Sequence, residues 1–466
     1  MKKVLLMAYA ILISTTINAQ DITGSWNGIL KIQGMQLRLV FNISKTDEGY
    51  TATMDSPDQG AKGIPVSSTK FENSTLKIEL PKAGIKYEGI LNEENTFIGT
   101  FKQNGLTFPL NLSKGATEKV ELKRPQEPNK PYPYYSEEVS FKNKTDNIIL
   151  SGTLTLPKKD GKFPAVILIS GSGPQNRNEE LMSHKPFLVL SDYLTKKGIA
   201  VLRFDDRGTA KSTGDFKTAT TRDFARDIES AFKYLKTRKD IKHDKIGLIG
   251  HSEGGIIAPI VASENKDIDF IVLMAGTGIG GDKLLLLQQE EIAKASGTSD
   301  EDLSKAQTIN KGTFDIILKT KNDKVLKTEL TNYLKKTLKD QPKSVIPEGT
   351  NIDDYVQLQV KQLTGPWILY FLRYNPATTL EKVKCSVLAI NGDKDLQVSS
   401  KVNLPAIKEA LIKGGNKNFT TKELPNLNHL FQECETGLPN EYSIIEQTIS
   451  PIALEEISNW ILKQVK

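Results

Sequence analysis

The chain has 466 residues, enough for two or three domains rather than one small core. Its formal net charge is +6, with 62 basic and 56 acidic residues scattered along the length, which argues against a nucleic-acid-binding surface. No Cys/His pattern offers zinc ligands, and neither a metal nor a cofactor is expected.

Only Cys385 and Cys434 are present. Cys385 heads an apolar run, so both are expected to be unpaired and buried, although spacing alone leaves a bridge open. Met1-Lys-Lys3, the apolar run Val4–Ile13 and Ser14–Gln20 have the three parts of a secretory leader, with cleavage expected after Ala19. Residues 1–19 are thus expected to be a signal peptide, whose removal would take away Lys2 and Lys3 and leave a net charge of +4. The apolar run is short for a bilayer span, so stable membrane insertion is not expected. A secreted or periplasmic protein is.

Residues 20–114 read as an all-β domain. Leu37, Leu39, Phe41 and Ile43 alternate with Arg38, Val40 and Asn42, and Leu76, Ile78 and Leu80 alternate with Lys77 and Glu79. Further short strands are predicted near 26–32, 50–54, 85–90, 97–102 and 106–112, with Asn104-Gly105 as a hairpin turn. This spacing suggests a small barrel or sandwich. Trp26, Tyr50, Tyr87, Phe97 and Phe101 fit the core of such a module better than a sugar-binding face, and no site is assigned there. Residues 115–133 carry Pro125, Pro128, Pro131 and Pro133 among charges and read as a stiff linker.

From 134 to 466 strands alternate with helices. An opening hairpin is predicted over 139–156, followed by strands at 163–169, 199–204, 246–250 and 270–274. Helices are predicted at 188–197 and after Thr221, which is taken as an N-cap. This alternation implies a doubly wound, mostly parallel sheet with its ligand site beyond the carboxyl ends of the strands. From about 278 to 380 helical patterns take over, at 284–294, 303–318, 325–338 and 352–374, with breaks at 340–342 and 346–349. A helical insert of this kind reads as a cap that shapes an acyl pocket and excludes water. Trp367, Tyr370 and Phe371 are candidates for its lining or for the cap core. The sheet resumes at 385–390 and 419–424, and a helix opened by Pro451 closes the chain.

Gly250-His251-Ser252-Glu253-Gly254 is a G-x-S-x-G turn between a strand and a small-residue helix, the setting a nucleophilic serine requires. Such a serine needs an imidazole base, and the base needs a carboxylate. Four histidines are available. His184 and His243 lie in polar stretches and are expected at the surface. His251 sits inside the turn as support. His429 follows the last strand, where the order serine, acid, histidine puts the base. Asp393 and Asp395 are the candidate acids; Asp395 is preferred, with Asp393 as a turn residue. The amides of Glu253 and Ser172 are the expected oxyanion donors, with Gly173 as the second choice. Gly173, His251 and Trp367 are taken as pocket residues. Arg207 to Thr213 echoes a phosphate-binding loop, but Ala210 stands where glycine is needed before Lys211, so nucleotide binding is not expected.

Ser170–Pro174, Asp206–Gly208, Gly250–Gly254, Gly392–Val398 and Asn428–Gln432 occur in the order seen in the α/β-hydrolase superfamily. Over about 134–466 the chain resembles its secreted bacterial esterases, near the serine aminopeptidase-like branch. The N-terminal β-module resembles one that accompanies some such esterases. The resemblance implies a Ser252–Asp395–His429 triad and a helical cap. Ser170 departs from the histidine that many relatives place before the first glycine of the oxyanion loop. The expected activity is hydrolysis of small carboxylic esters, with short acyl chains, through an acyl-enzyme. A peptidase or amidase with the same triad is an alternative, as is a polysaccharide- or lipid-binding protein acting through the β-module. Aminopeptidase chemistry would need an acidic site for the substrate amine, and the sequence points to none. Nor does it carry a signal of oligomeric state.

Overall fold

The computed structural model describes residues 21–32, 35–57, 61–103, 106–115, 123–339 and 351–466. The expected leader, the Asn104-Gly105 turn and the breaks at 340–342 and 346–349 lie outside the described residues. The chain divides into two compact units, the first built from the N-terminal strands and the second from Val120 onward.

The first unit is one antiparallel sheet of ten strands: β1 (Gly24–Ile32), β2 (Met35–Thr46), β3 (Gly49–Ser56), β4 (Ala61–Pro65), β5 (Ser68–Glu72), β6 (Thr75–Leu80), β7 (Ile85–Leu91), β8 (Thr96–Gln103), β9 (Leu106–Pro109) and β10 (Leu112–Lys114). Strand β10 pairs with β1, Trp26 opposite Lys114, and with β8, Leu112 opposite Phe97. That double pairing closes the sheet into a barrel. Alternate residues point inward, so Trp26, Phe41, Tyr87, Phe97 and Phe101 fill the interior, with Trp26 and Phe97 edge to face at 4.5 Å. Tyr50 stands half-buried against Phe71. These rings make a core.

In the second unit eight strands run in the order β11-β12-β14-β13-β15-β16-β17-β18. They are β11 (Tyr135–Asn143), β12 (Ile148–Leu156), β13 (Phe163–Ile169), β14 (Ala200–Phe204), β15 (Ile241–His251), β16 (Phe270–Met274), β17 (Ser386–Gly392) and β18 (Phe419–Leu424). The first two are an antiparallel hairpin and β12 pairs antiparallel with β14; the remaining pairings are parallel. Helices cover both faces: α2 (Thr221–Leu235), α3 (Gly254–Glu264) and α10 (Ser400–Lys413) on one, α1 (Pro186–Lys196) and α11 (Pro451–Gln464) on the other. Successive strand residues alternate between the two cores, so Ala165, Ile167 and Ile169 join the first while Val166 and Leu168 join the second. Both faces are apolar, which is why the strands read as unbroken hydrophobic runs. This is the α/β-hydrolase fold.

Between β16 and β17 lie α4 (Gly281–Ala295), α5 (Asp300–Lys319), α6 (Asp323–Lys339), α7 (Ile352–Leu363), α8 (Pro366–Arg373) and α9 (Pro376–Leu380). Phe314, Ile317, Leu326, Leu330, Val356, Val360 and Leu372 form their own apolar core. The single helix expected over 352–374 is two, because Gly365 and Pro366 stop one and start the next. The N-cap of α2 is Thr220 rather than Thr221. Its hydroxyl faces the Asp223 amide, and the Asp223 carboxylate accepts the Thr220 amide at 2.7 Å, a reciprocal capping box. Cys385 and Cys434 are free and half-buried, less enclosed than expected, and burial pushes the Cys434 thiol up to about 11. Arg207, in the phosphate-loop-like stretch, is taken up by ion pairs with Asp227 at 2.7 Å and Asp146 at 2.8 Å.

His184 corrects the surface assignment made for it. It is fully buried, with Nδ1 2.9 Å from Thr448 Oγ1 and Nε2 2.8 Å from the Tyr442 carbonyl oxygen. The segment after β18 folds over it, contact that no local pattern announces. The Pro-rich stretch is also fastened to this unit. Arg124 donates to the carbonyls of Ser443 (2.9 Å), Ile445 (3.0 Å), Met182 (3.2 Å) and Ser183 (3.2 Å). Gln126 exchanges hydrogen bonds with the backbone of Thr448 and Ile449.

Two outcomes follow from this corner. Arg124→Ala leaves four carbonyls short of a donor and should lower the thermal midpoint of the second unit by about 2–8 °C in calorimetry. Burial holds the His184 pKa down to about 4, against 6.5 in an unfolded chain. As pH falls the unfolded state takes up this proton first, so stability present above pH 6.5 is lost between 6.5 and 4. His184→Gln should flatten that part of the midpoint-versus-pH curve.

Candidate active site

The carboxyl ends of β13, β15, β17 and β18 bring the chemistry together. At the end of β15 the backbone turns at Ser252 with φ 53°, a left-handed conformation costing about 1–3 kcal/mol for a residue with a Cβ. The Ser252 amide is held by the Met274 carbonyl at 2.9 Å, and α3 begins at Gly254. Only glycines fit around the turn. A Cβ on Gly250 would stand 2.0 Å from the Gly254 carbonyl oxygen, and one on Gly254 2.2 Å from the Ile169 oxygen. The G-x-S-x-G spacing is therefore a steric requirement of the fold.

His429 lies on the loop after β18, 5 % exposed, with Nδ1 2.8 Å from Asp395 Oδ2. Asp395, 3 % exposed, accepts the amides of Gln397 (2.8 Å) and Val398 (2.9 Å) on its other oxygen. An acceptor-only carboxylate at Nδ1 puts the ring proton there and leaves Nε2 free to take one. Asp393 is turned away and receives the Asn426 amide at 2.6 Å. The loop of His429 is shaped by Asn428, whose Oδ1 accepts the amides of Leu430 and Gln432 at 3.0 Å.

Ser172, Ser252, Glu253, Trp367 and His429 line one cavity of about 70 Å³, beside Ile256, Leu284, Leu285, Phe371 and Val398. Among the described residues the amides of Ser172 and Glu253 make no hydrogen bond to protein, whereas that of Gly171 is taken by Glu179 Oε1 at 2.7 Å. Gly173 and His251 are not part of this cavity. Gly173 lines a separate void of about 20 Å³ with Asp206 and Glu253. The His251 ring lies beneath the site, its nitrogens facing Glu179 Oε1 at 2.9 Å and the His429 carbonyl oxygen at 3.0 Å, so it cannot serve as pocket wall. Tyr370 stacks on Tyr374 instead of lining the cavity. His243 is exposed.

The roles of three carboxyl groups escaped the sequence analysis. Glu179 sits on the β13–α1 loop with φ 51°, and nothing in its neighbourhood marks it. The Glu253 carboxyl accepts the Thr221 hydroxyl at 2.7 Å and the Trp367 indole N–H at 2.9 Å, joining elbow, α2 and cap. Burial pushes this carboxyl above the ordinary range, and those two donors only partly offset it. Asp206 accepts the Ser170 hydroxyl at 2.8 Å and the Gln175 amide at 3.0 Å, pinning the loop that carries Ser172. Burial raises its pKa to about 8.

A family profile described as serine aminopeptidase, S33, matches residues 184–311. An esterase of Thermotoga maritima, EstD, is 26 % identical over 333 residues, 71 % of this chain and 70 % of that protein. Among solved structures, an esterase of Pyrococcus furiosus aligns over 74 % of this chain and 97 % of its own at 17 % identity, with a TM-score of 0.41. The ferulic-acid-bound Est1E of Butyrivibrio proteoclasticus aligns over 70 % and 99 % at 16 % identity, with a TM-score of 0.40. Strand order and serine elbow give the second unit an α/β-hydrolase fold, the first unit is a closed β-barrel, and residues 184–311 are similar to the serine aminopeptidase family.

Proposed function

We propose that the protein is a serine hydrolase of small carboxylic esters that works through an acyl-enzyme. The observation that carries this is one cavity shared by the strained Ser252 and by His429, whose far nitrogen is bonded to the buried Asp395. His429 Nε2 takes the Ser252 proton as Oγ attacks the ester carbonyl, and Asp395 stabilises the imidazolium that results. The amides of Ser172 and Glu253 receive the negative charge on the carbonyl oxygen. His429 returns the proton to the leaving alcohol, and water repeats the sequence to release the acid. Ile256, Leu284, Leu285, Phe371 and Val398 make an apolar wall, and the small volume suits a short acyl chain. The leader at 1–19 would place this activity outside the cytoplasm.

A peptidase or amidase reading gains one point from the structure, because an acidic residue, Glu253, is among those lining the cavity. Against it, one Glu253 oxygen is already engaged by Thr221 and Trp367, and burial disfavours its charge. Ester hydrolysis is the better fit.

Ser252→Ala should lower kcat on p-nitrophenyl acetate or butyrate by about 10⁶-fold, and Asp395→Asn by about 10⁴-fold. Asp393→Asn should stay within about threefold of wild type, since an exposed turn residue holds no reacting group. Near-wild-type turnover by Ser252→Ala would sink the assignment, and faster cleavage of aminoacyl-p-nitroanilides than of esters would favour the amidase.

A further inference from the structure

Glu179 and His251 take no part in the proton transfers above, yet they lie directly beneath them. Both are buried, 5 % and 6 % exposed. His251 Nδ1 is 2.9 Å from Glu179 Oε1, and Nε2 is 3.0 Å from the carbonyl oxygen of His429. A carboxylate and a carbonyl only accept, so both ring nitrogens carry hydrogen and the ring is an imidazolium. Burial opposes that charge, but the Glu179 carboxylate and its hydrogen bond outweigh it and hold the His251 pKa above its ordinary value. The same Glu179 oxygen accepts the Gly171 amide at 2.7 Å. Gly171 runs against the nucleophile: a Cβ placed on it would stand 3.2 Å from the Ser252 Cβ.

One ion pair therefore ties three loops. Glu179 fixes the backbone of the oxyanion loop at Gly171, His251 belongs to the elbow, and the far side of its ring fixes the backbone of the base. We propose that the Glu179–His251 pair is the positioning element of this site, setting the oxyanion loop and His429 in register with Ser252 through the proton on His251 Nε2. This rests on Ser252 and His429 being nucleophile and base. Neither Glu179 nor His251 needs to touch the substrate; both act through the backbone groups they hold.

The arrangement has a chemical signature. When His251 loses its second proton, Nδ1–H stays with the carboxylate and a lone pair on Nε2 faces the His429 carbonyl oxygen. The tie becomes a repulsion, and activity declines on the alkaline side. The other ionisable groups facing the pair are His429, whose ring centre lies 4.9 Å from that of His251, and Asp395 behind it. Asp206 couples to Glu179 from the oxyanion-loop side. An alkaline limb due to His251 must vanish with that ring, whereas one due to Asp206 would survive its replacement.

The test is kcat and KM for p-nitrophenyl acetate from pH 5 to 10, with the full chain and Glu179→Gln, His251→Gln and His251→Phe. Fluorophosphonate labelling is mapped to its residue in each protein, and circular dichroism reports folding. Glu179→Gln removes the partner charge, so its alkaline limb should move down by at least about one pH unit. Its kcat should fall by about 10- to 100-fold with KM little changed, as for a small misplacement of reacting groups. His251→Gln keeps a donor near the Nε2 position but does not titrate; it should lose the limb and retain more activity than His251→Phe. Superimposable pH profiles for wild type and Glu179→Gln would overturn the proposal. So would a limb that persists in His251→Gln, or equal activity in His251→Gln and His251→Phe. If Glu179→Gln does not fold, the two His251 variants decide. A label on a residue other than Ser252 would instead overturn the nucleophile assignment, while a label on Ser252 with superimposed profiles defeats the positioning role alone.

Discussion

The left-handed backbone at Ser252 is the constraint around which the second unit is built. A serine at φ 53° is held there only by surroundings that allow no alternative. Gly250 and Gly254 let the turn close against Ile169, and Gly255 lets α3 pack on the chain at Gly276, where a Cβ would come within 2.5 Å. On either side, β15 pairs with β13 and β16 in register up to the turn. The sheet thus absorbs the strain, and the half-buried Ser252 side chain is presented at its edge.

Hydrogen-bonded ionisable side chains do the second part of the work. Asp395, His251, Glu179 and Glu253 are buried near the elbow, and Asp206 lies half-buried beside them. Each ties its own segment to another one, so removing any of them leaves polar partners without water to replace it. Asp395 meets His429 and two amides of its own loop; Glu253 meets α2 and the cap; Asp206 meets Ser170 and Gln175 of the β13–α1 loop. Loops otherwise free to move are held by these ties at hydrogen-bond precision. The Trp367–Glu253 contact adds that the cap is joined by a side-chain bond to a residue that lines the cavity.

The stretch before β11 shows the same logic in a structural setting. Its prolines suggested a spacer, but Arg124 and Gln126 spend their hydrogen-bonding capacity on backbone from the β13–α1 loop and from the segment after β18. Proline keeps such a stretch extended, which makes the donors easy to present; it does not say whether they are presented to water or to protein.

Much of this protein is written in short-range pattern. Apolar runs bounded by turns located the strands of the sheet, and G-x-S-x-G between a strand and a small-residue helix located Ser252. With four histidines in the chain and an order of serine, acid, base to satisfy, elimination points to His429, which the fold sets against Asp395. Gly365-Pro366, where one helix becomes two, is a local signal of the same kind. Other decisions lay in contacts between distant residues. Asp393 and Asp395 are two residues apart with similar neighbours, and only the folded loops turn one carboxylate to His429 and the other to the Asn426 amide. His184 sits in a polar stretch that resembles surface, but chain more than 250 residues further on covers it. Glu179 is one acid among 56, and its meaning comes from the His251 ring and the Gly171 amide that the fold brings to it. Periodicity and turn chemistry act over a few residues and are visible in order along the chain. The pairing of buried polar groups is settled only when burial removes water and leaves each group to find its partner in space.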